Sequence, residues 1–222
     1  MNIVLLHGLY MNALVMQPLK YRLEKMGYST HVLNFSTVTI DTEHLFNSID
    51  AALSSDQPNA LVGHSLGGLI IQKYLAARHP SAEIISHVVT IGSPMQGAAI
   101  VRAIDEMGMS GILGDAKEFG LEPHDNHWHF PQKLGCIAGN MAWGVMPLLL
   151  GFDISSDGTV SVAETQIPGM TDHVETSNTH LTLLYSDEVA EQIHFFLAND
   201  KFEIKKSRIS TVSVTRLIRR TR

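Results

Sequence analysis

The apolar positions of this chain fall into two rhythms. Runs with little polar alternation at 3–6, 30–35, 60–62, 84–92, 133–139 and 171–175 read as strands, the first of them buried on both faces. Between them, helical spacing marks 15–26, closed by Gly27, and 42–53, opened by Asp41 as a cap. It also marks 66–78, stopped by His79-Pro80, and 187–198. Strand and helix alternate through residues 1–200, which predicts an α/β domain: about six strands, mostly parallel, with helices on both faces. Two stretches break the rhythm. Residues 98–130 carry Gly and Met between two strands, and 140–152 hold Trp143, Met146, Pro147 and three leucines. Both leave from carboxyl ends of strands, so they are expected as a small lid-like insertion bordering an apolar pocket.

The strand at 60–62 runs into Gly63-His64-Ser65-Leu66-Gly67, and a helix leaves it. This G-x-S-x-G arrangement is a nucleophile elbow. A serine on so sharp a strand-to-helix turn stands above the sheet edge in a strained backbone conformation. Glycine two residues away on either side removes the Cβ atoms that would collide with the neighbouring strand and helix. The Leu66 N–H then opens a helix, where it can face a developing oxyanion.

Five segments together resemble the α/β-hydrolase superfamily in its lipase and esterase branch. They are Val4-Leu5-Leu6-His7-Gly8-Leu9, residues 63–68, Thr90-Ile91-Gly92-Ser93-Pro94-Met95-Gln96-Gly97, Ser156-Asp157-Gly158-Thr159-Val160 and Asn178-Thr179-His180. The resemblance covers residues 3–198 and implies a minimal version of that fold, since the chain begins at what would be the family's third strand. It departs from the lipases at Gln96, where a His commonly stands.

Serine holds its proton at neutral pH, so it needs a base within reach and an acid to orient that base. The family's chain order is serine, acid, histidine. Of twelve histidines, His180 is the first choice as base because it follows the last strand in a polar turn; His173, inside that strand, is the rival. Asp157, in a polar loop with Gly158 behind it, is the first choice as acid, with Asp153 the rival. The resemblance places a second oxyanion donor after the first strand, at the Leu9 N–H beside that of Leu66, with His7 as a structural partner. Tyr10, Met11, Trp143 and Met146 are the candidates for substrate contact.

Charge changes the picture only at the end of the chain. Residues 201–222 hold eight basic side chains against Glu203, while the first 200 residues hold eight basic and 21 acidic ones. The default expectation is a solvated basic tail whose charge also suits a weak membrane-surface contact; no nucleic-acid partner is expected. The single Cys136 excludes an internal disulfide and is expected to be buried. His124, His127 and His129 match no standard zinc spacing, so no metal site is expected there, and the serine chemistry the resemblance implies needs no cofactor. No basic start and apolar leader precede the first strand, and no apolar run reaches spanning length, so a cytoplasmic location is expected. The resulting expectation is a serine hydrolase of carboxylic esters working through an acyl-enzyme. A thioesterase or acyltransferase with the same triad stands beside it, and so does a non-catalytic binding protein on this fold.

Overall fold

Asn2–Leu6 (β1) is buried along its whole length, as befits a strand that lies inside a sheet covered on both faces. Its partners are Ser29–Leu33 (β2) on one side and Asn59–His64 (β3) on the other; Ile85–Ile91 (β4), Lys133–Gly139 (β5) and Asp172–Thr176 (β6) follow outward from β3. The order is β2-β1-β3-β4-β5-β6, and every neighbouring pair is parallel. The computed structural model describes residues 1–106, 111, 114–115, 119, 126–143 and 154–204, without the side chains of Arg102 and Asp105.

Among the described residues the helices are Gln17–Lys25 (α1), Thr42–Ala52 (α2), Leu66–Arg78 (α3), Ala99–Glu106 (α4) and Asp187–Asn199 (α5). The period of two along the strands sorts the core between the faces. Val4, Leu6, Leu61 and Val88 pack with Leu45, Phe46 and Ile49 of α2 and the inner face of α3. Ile3, Leu5, Ala60, Val62, Val89 and Ile137 pack with Leu19 and Leu23 of α1 and with Val189, Ile193 and Phe196 of α5.

Local chemistry closes the elements where the pattern places their ends. Asp41 caps α2 by accepting from the His44 N–H at 3.0 Å. Chain reversal after α1 uses Gly27 at φ 92°. The helix spacing at 15–26 resolves into a 3-10 turn, Ala13–Met16, followed by α1. At the amino edge of the sheet, Asn2 donates to Asn59 Oδ1 at 2.8 Å and Asn59 to Ile84 O at 2.9 Å, which closes that edge with buried amides.

Residues 201–204 lie against the body of the protein. Phe202 is buried and stacks on Phe196 with centroids 4.9 Å apart. Gln192 exchanges two hydrogen bonds with the Glu203 backbone, of 2.8 and 2.9 Å. The basic residues from Lys205 onward lie outside the described residues. Among the described residues no helix is long and apolar enough to cross a membrane.

Candidate active site

The strand order creates the site. From β1 the chain crosses outward to β2 over one face; from β3 it crosses the other way to β4 over the opposite face. The loops at the carboxyl ends of β1 and β3 therefore part and leave a crevice between them. His7-Gly8-Leu9 and Ser65 stand at that point. The two loops are in close approach, because a Cβ on Gly8 would lie 2.9 Å from Ser65 Cβ.

Ser65 takes φ 54° and ψ −121°, a conformation that side chains avoid. Its neighbours hold it there. A Cβ on Gly63 would lie 2.5 Å from the Gly67 carbonyl carbon, and one on Gly67 would lie 2.5 Å from Leu6 O. The Ser65 N–H donates to Ile91 O at 2.9 Å, which ties the turn to the end of β4. Leu66 is the first residue of α3, so its N–H has no intrahelical acceptor.

Asp157 and His180 meet beyond β3, against the carboxyl ends of β4 and β5. His180 Nδ1 lies 2.7 Å from Asp157 Oδ2. The other carboxylate oxygen accepts from the Thr159 and Val160 N–H groups at 2.9 and 2.8 Å, in a turn whose Gly158 has φ 96°. The backbones are joined as well, since the His180 N–H donates to Asp157 O at 2.8 Å. Asp157 is 1% exposed and the His180 side chain 14%, so one acid faces one imidazole with little water between. With Nδ1 engaged, Nε2 is the ring nitrogen left to act as a base. Ser65 Oγ makes no hydrogen bond among the described residues.

Residues not singled out from the sequence complete the setting. His64 is fully buried, its ring centroid is 4.7 Å from that of His180, and its Nε2 donates to His180 O at 2.9 Å. Burial, then the proximity of His180, pushes its pKa down to about 3, so it stays neutral. The signal for it lay inside the elbow motif, at a position whose identity the motif leaves free. Gly92 follows β4 directly at φ 55°, and a Cβ there would lie 2.9 Å from Asp157 Oδ2 and 3.2 Å from His180 Nδ1. Gly139 ends β5, and a Cβ there would lie 2.8 Å from Asp157 Cβ. A strand closing on glycine was the available sign of both close approaches.

The other candidates are placed as follows. Leu9 sits in the loop after β1, and its N–H has no acceptor among the described residues. His7 stacks on Phe35 at 4.1 Å, accepts from the Phe35 N–H at Nε2 and donates from Nδ1 to Gly8 O, with its pKa lowered by burial. His173 is occupied elsewhere, with Nε2 3.0 Å from Thr165 Oγ1. Tyr10 is 58% exposed, Trp143 81%, and Met11 half-buried. Two cavities bounded by described residues, of about 600 Å³ beside β2 and α2 and about 690 Å³ along β6 and α5, do not include Ser65. Met146, the rival acid Asp153, His124 and most of the 107–125 and 144–153 stretches lie outside the described residues. His127 and His129 stack at 5.6 Å, and no group of three metal-ligating side chains occurs among the described residues. Cys136 is buried, which pushes its thiol up to about 12 and leaves it unreactive.

A family model described as the alpha/beta hydrolase fold matches residues 2–127. Among solved structures, the metagenomic carboxyl esterase MGS0156 superposes with a TM-score of 0.68 at 17% identity, over 90% of this chain and 76% of that one. The mature lipase BlEst2 of Bacillus licheniformis gives 0.61 at 17% identity, over 89% and 90%. A pyrethroid hydrolase from Sphingobium faniae gives 0.58 at 16% identity, over 89% and 97%. No curated protein matches the chain in sequence. At such identities the structural likeness carries the fold alone. Together with the family match across more than half its length, and a sheet whose crevice holds the serine turn, it shows that the chain belongs to the α/β-hydrolase fold family.

Proposed function

We propose that this protein is a serine hydrolase of carboxylic esters, with Ser65 as nucleophile, His180 as base and Asp157 as orienting acid. The observation that carries the reading is the 2.7 Å contact from His180 Nδ1 to Asp157 Oδ2, set against the strained turn that presents Ser65. The structural neighbours named as a carboxyl esterase and a lipase support it at the level of fold.

The reaction runs in two halves. Ser65 Oγ attacks the acyl carbon while His180 Nε2 takes its proton; the carbonyl oxygen becomes an oxyanion held by the Leu9 and Leu66 N–H groups. The carbon–oxygen bond to the alcohol breaks, and His180 returns the proton to the departing alcohol. Water then attacks the acyl-enzyme, giving its proton to His180. The acid leaves as that proton returns to Ser65 Oγ. Asp157 keeps its charge throughout and holds the tautomer with the proton on Nδ1. No step calls for a metal or organic cofactor. Exposed apolar side chains on the loops around the carboxyl edge of the sheet, Tyr10, Met141, Trp143 and Leu181 among them, favour an apolar acyl or alcohol group over a charged one.

The test is turnover of p-nitrophenyl esters of increasing acyl length, together with labelling by a fluorophosphonate probe. Ser65→Ala should abolish labelling and lower turnover about a thousandfold or more, with an unchanged circular dichroism spectrum. His180→Ala should do the same to turnover. Ordinary turnover by purified Ser65→Ala overturns the reading.

A further inference from the structure

His180 lies in the loop after β6, and two contacts from elsewhere in the chain fix its backbone. Its N–H donates to Asp157 O at 2.8 Å. Its carbonyl oxygen accepts from His64 Nε2 at 2.9 Å. Both bonds are made by groups of residue 180 itself, so they hold the nitrogen and the carbonyl on either side of one Cα. With those two held, tetrahedral geometry sets the direction of the Cα–Cβ bond, and the imidazole leaves the backbone along a fixed line.

His64 is fitted to hold that carbonyl. It is the last residue of β3, fully buried, and paired in register with Ile91 of β4. A carbonyl oxygen only accepts, so His64 Nε2 carries the proton and Nδ1 is left as an acceptor. That Nδ1 is buried and has no partner among the described residues; it lies 3.1 Å from where a Cβ on Gly8 would be. An apolar ring would leave no orphan beside Gly8. What the histidine adds there is its one bond, to His180 O. The ring also meets the base directly, with centroids 4.7 Å apart and planes at 47°. Asp157 Oδ2 takes the Nδ1 end of the same imidazole at 2.7 Å, so backbone, ring face and ring nitrogen of His180 are each engaged.

We infer that His64 is a positioning residue for the base: its Nε2–H and its ring hold His180 where the His180 Nε2 can take the Ser65 proton. The inference rests on the esterase reading above. Without the donor, the His180 carbonyl is released, the Cα–Cβ bond is free to turn, and Nε2 moves from its place.

His64→Phe keeps a ring of similar shape and removes the donor, while His64→Gln keeps a donor and removes the ring. With p-nitrophenyl butyrate, His64→Phe should lower kcat about tenfold or more and leave KM within about twofold, because a displaced base acts on proton transfer and not on substrate binding. His64→Gln should restore kcat to within about threefold of wild type. A readout free of catalysis is the His180 Nδ1 proton, whose magnetic resonance signal is moved far downfield by its bond to Asp157. In spectra of isotope-labelled histidine it should be alike in the wild type and His64→Gln, and shifted or broadened in folded His64→Phe. His64→Leu repeats the comparison should phenylalanine not be accommodated. Equal kcat in wild type and His64→Phe, a loss in His64→Gln as large as that in His64→Phe, or an unchanged His180 signal in His64→Phe overturns the inference. Absence of Ser65-dependent turnover in the wild type overturns the esterase reading instead, and the signal still decides whether His64 holds His180.

Discussion

The turns after β1 and β3 stand side by side at the mouth of the crevice, and each forces a side-chain-bearing residue to positive φ: Tyr10 at 56° and Ser65 at 54°. They reach it by different means. The β3 turn is held sterically. Gly63 and Gly67 let strand, turn and helix approach to where any Cβ would strike backbone at 2.5 Å. The β1 turn is held by polarity, through one hydrogen bond to a hydroxyl 27 residues away. A steric lock is written within a few neighbouring residues and tolerates no added atom. A polar latch depends on a distant loop and tolerates a change of side chain on the turn itself. The acid loop follows the second pattern, since Asp157 is oriented by two backbone donors and by a histidine 23 residues on.

The largest effect is expected at the polar contact to which the proposed function gives the chemistry. Asp157→Asn should lower kcat about a thousandfold or more, because the amide cannot favour the tautomer with the proton on Nδ1 and cannot stabilise the imidazolium. Asp153→Asn should cost far less. Steady-state kinetics on both variants checks the pair, and the reverse ranking moves the acid role to Asp153. Next comes the steric lock. Gly67→Ala drives a Cβ to 2.5 Å from Leu6 O, and urea unfolding should show a loss of about 2–3 kcal/mol.

Acid tests the buried histidine of the elbow. The native pKa of His64 is down at about 3, below the unfolded value of about 6.5. Only the unfolded chain takes up this proton between those values, so its contribution is complete above pH 6.5 and is lost as pH falls toward 3. The expected slope is about 1.4 kcal/mol per pH unit at most. Unfolding measured from pH 7 to 4.5 should be less acid-sensitive in His64→Gln, whose amide can still donate to His180 O; equal slopes would show that His64 is not the titrating group. The smallest effect should come from the polar turn. Tyr10→Gly relieves the left-handed strain but loosens the unfolded chain, so stability should stay within about 1 kcal/mol of wild type. A loss as large as that of Gly67→Ala would erase the distinction between the two turns.

Much of this architecture is written in short-range pattern. The bounds of α3 and β5 follow from the sequence without adjustment, and the Asp41 cap and the Gly63–Gly67 elbow follow from local chemistry. Other ends are shifted by their surroundings. Residues 60–62 read as a strand, yet β3 extends to Asn59–His64. Pairing with β1 and β4 draws in Gly63 and His64, and Asn59 is satisfied by Asn2 and Ile84. Likewise, Phe202 belongs by composition to a basic tail, but its ring completes the core against Phe196 and Gly135.

The residues of the candidate site can be chosen along the chain, because serine chemistry needs a base and an acid and the family order ranks the candidates. Their meeting is another matter. That β1 lies between β2 and β3, opening the crevice beside Ser65, depends on strand pairing over tens of residues. That His64 supports His180, that Gly92 leaves room for the acid–imidazole pair, and that the Tyr10 N–H reaches the Thr37 hydroxyl also depend on segments far apart in the chain. Periodicity, caps and glycine spacing act between residues a few positions apart, and so they can be read along the chain. Hydrogen bonds and close approaches between distant loops exist only once the sheet has assembled and brought those loops to one edge.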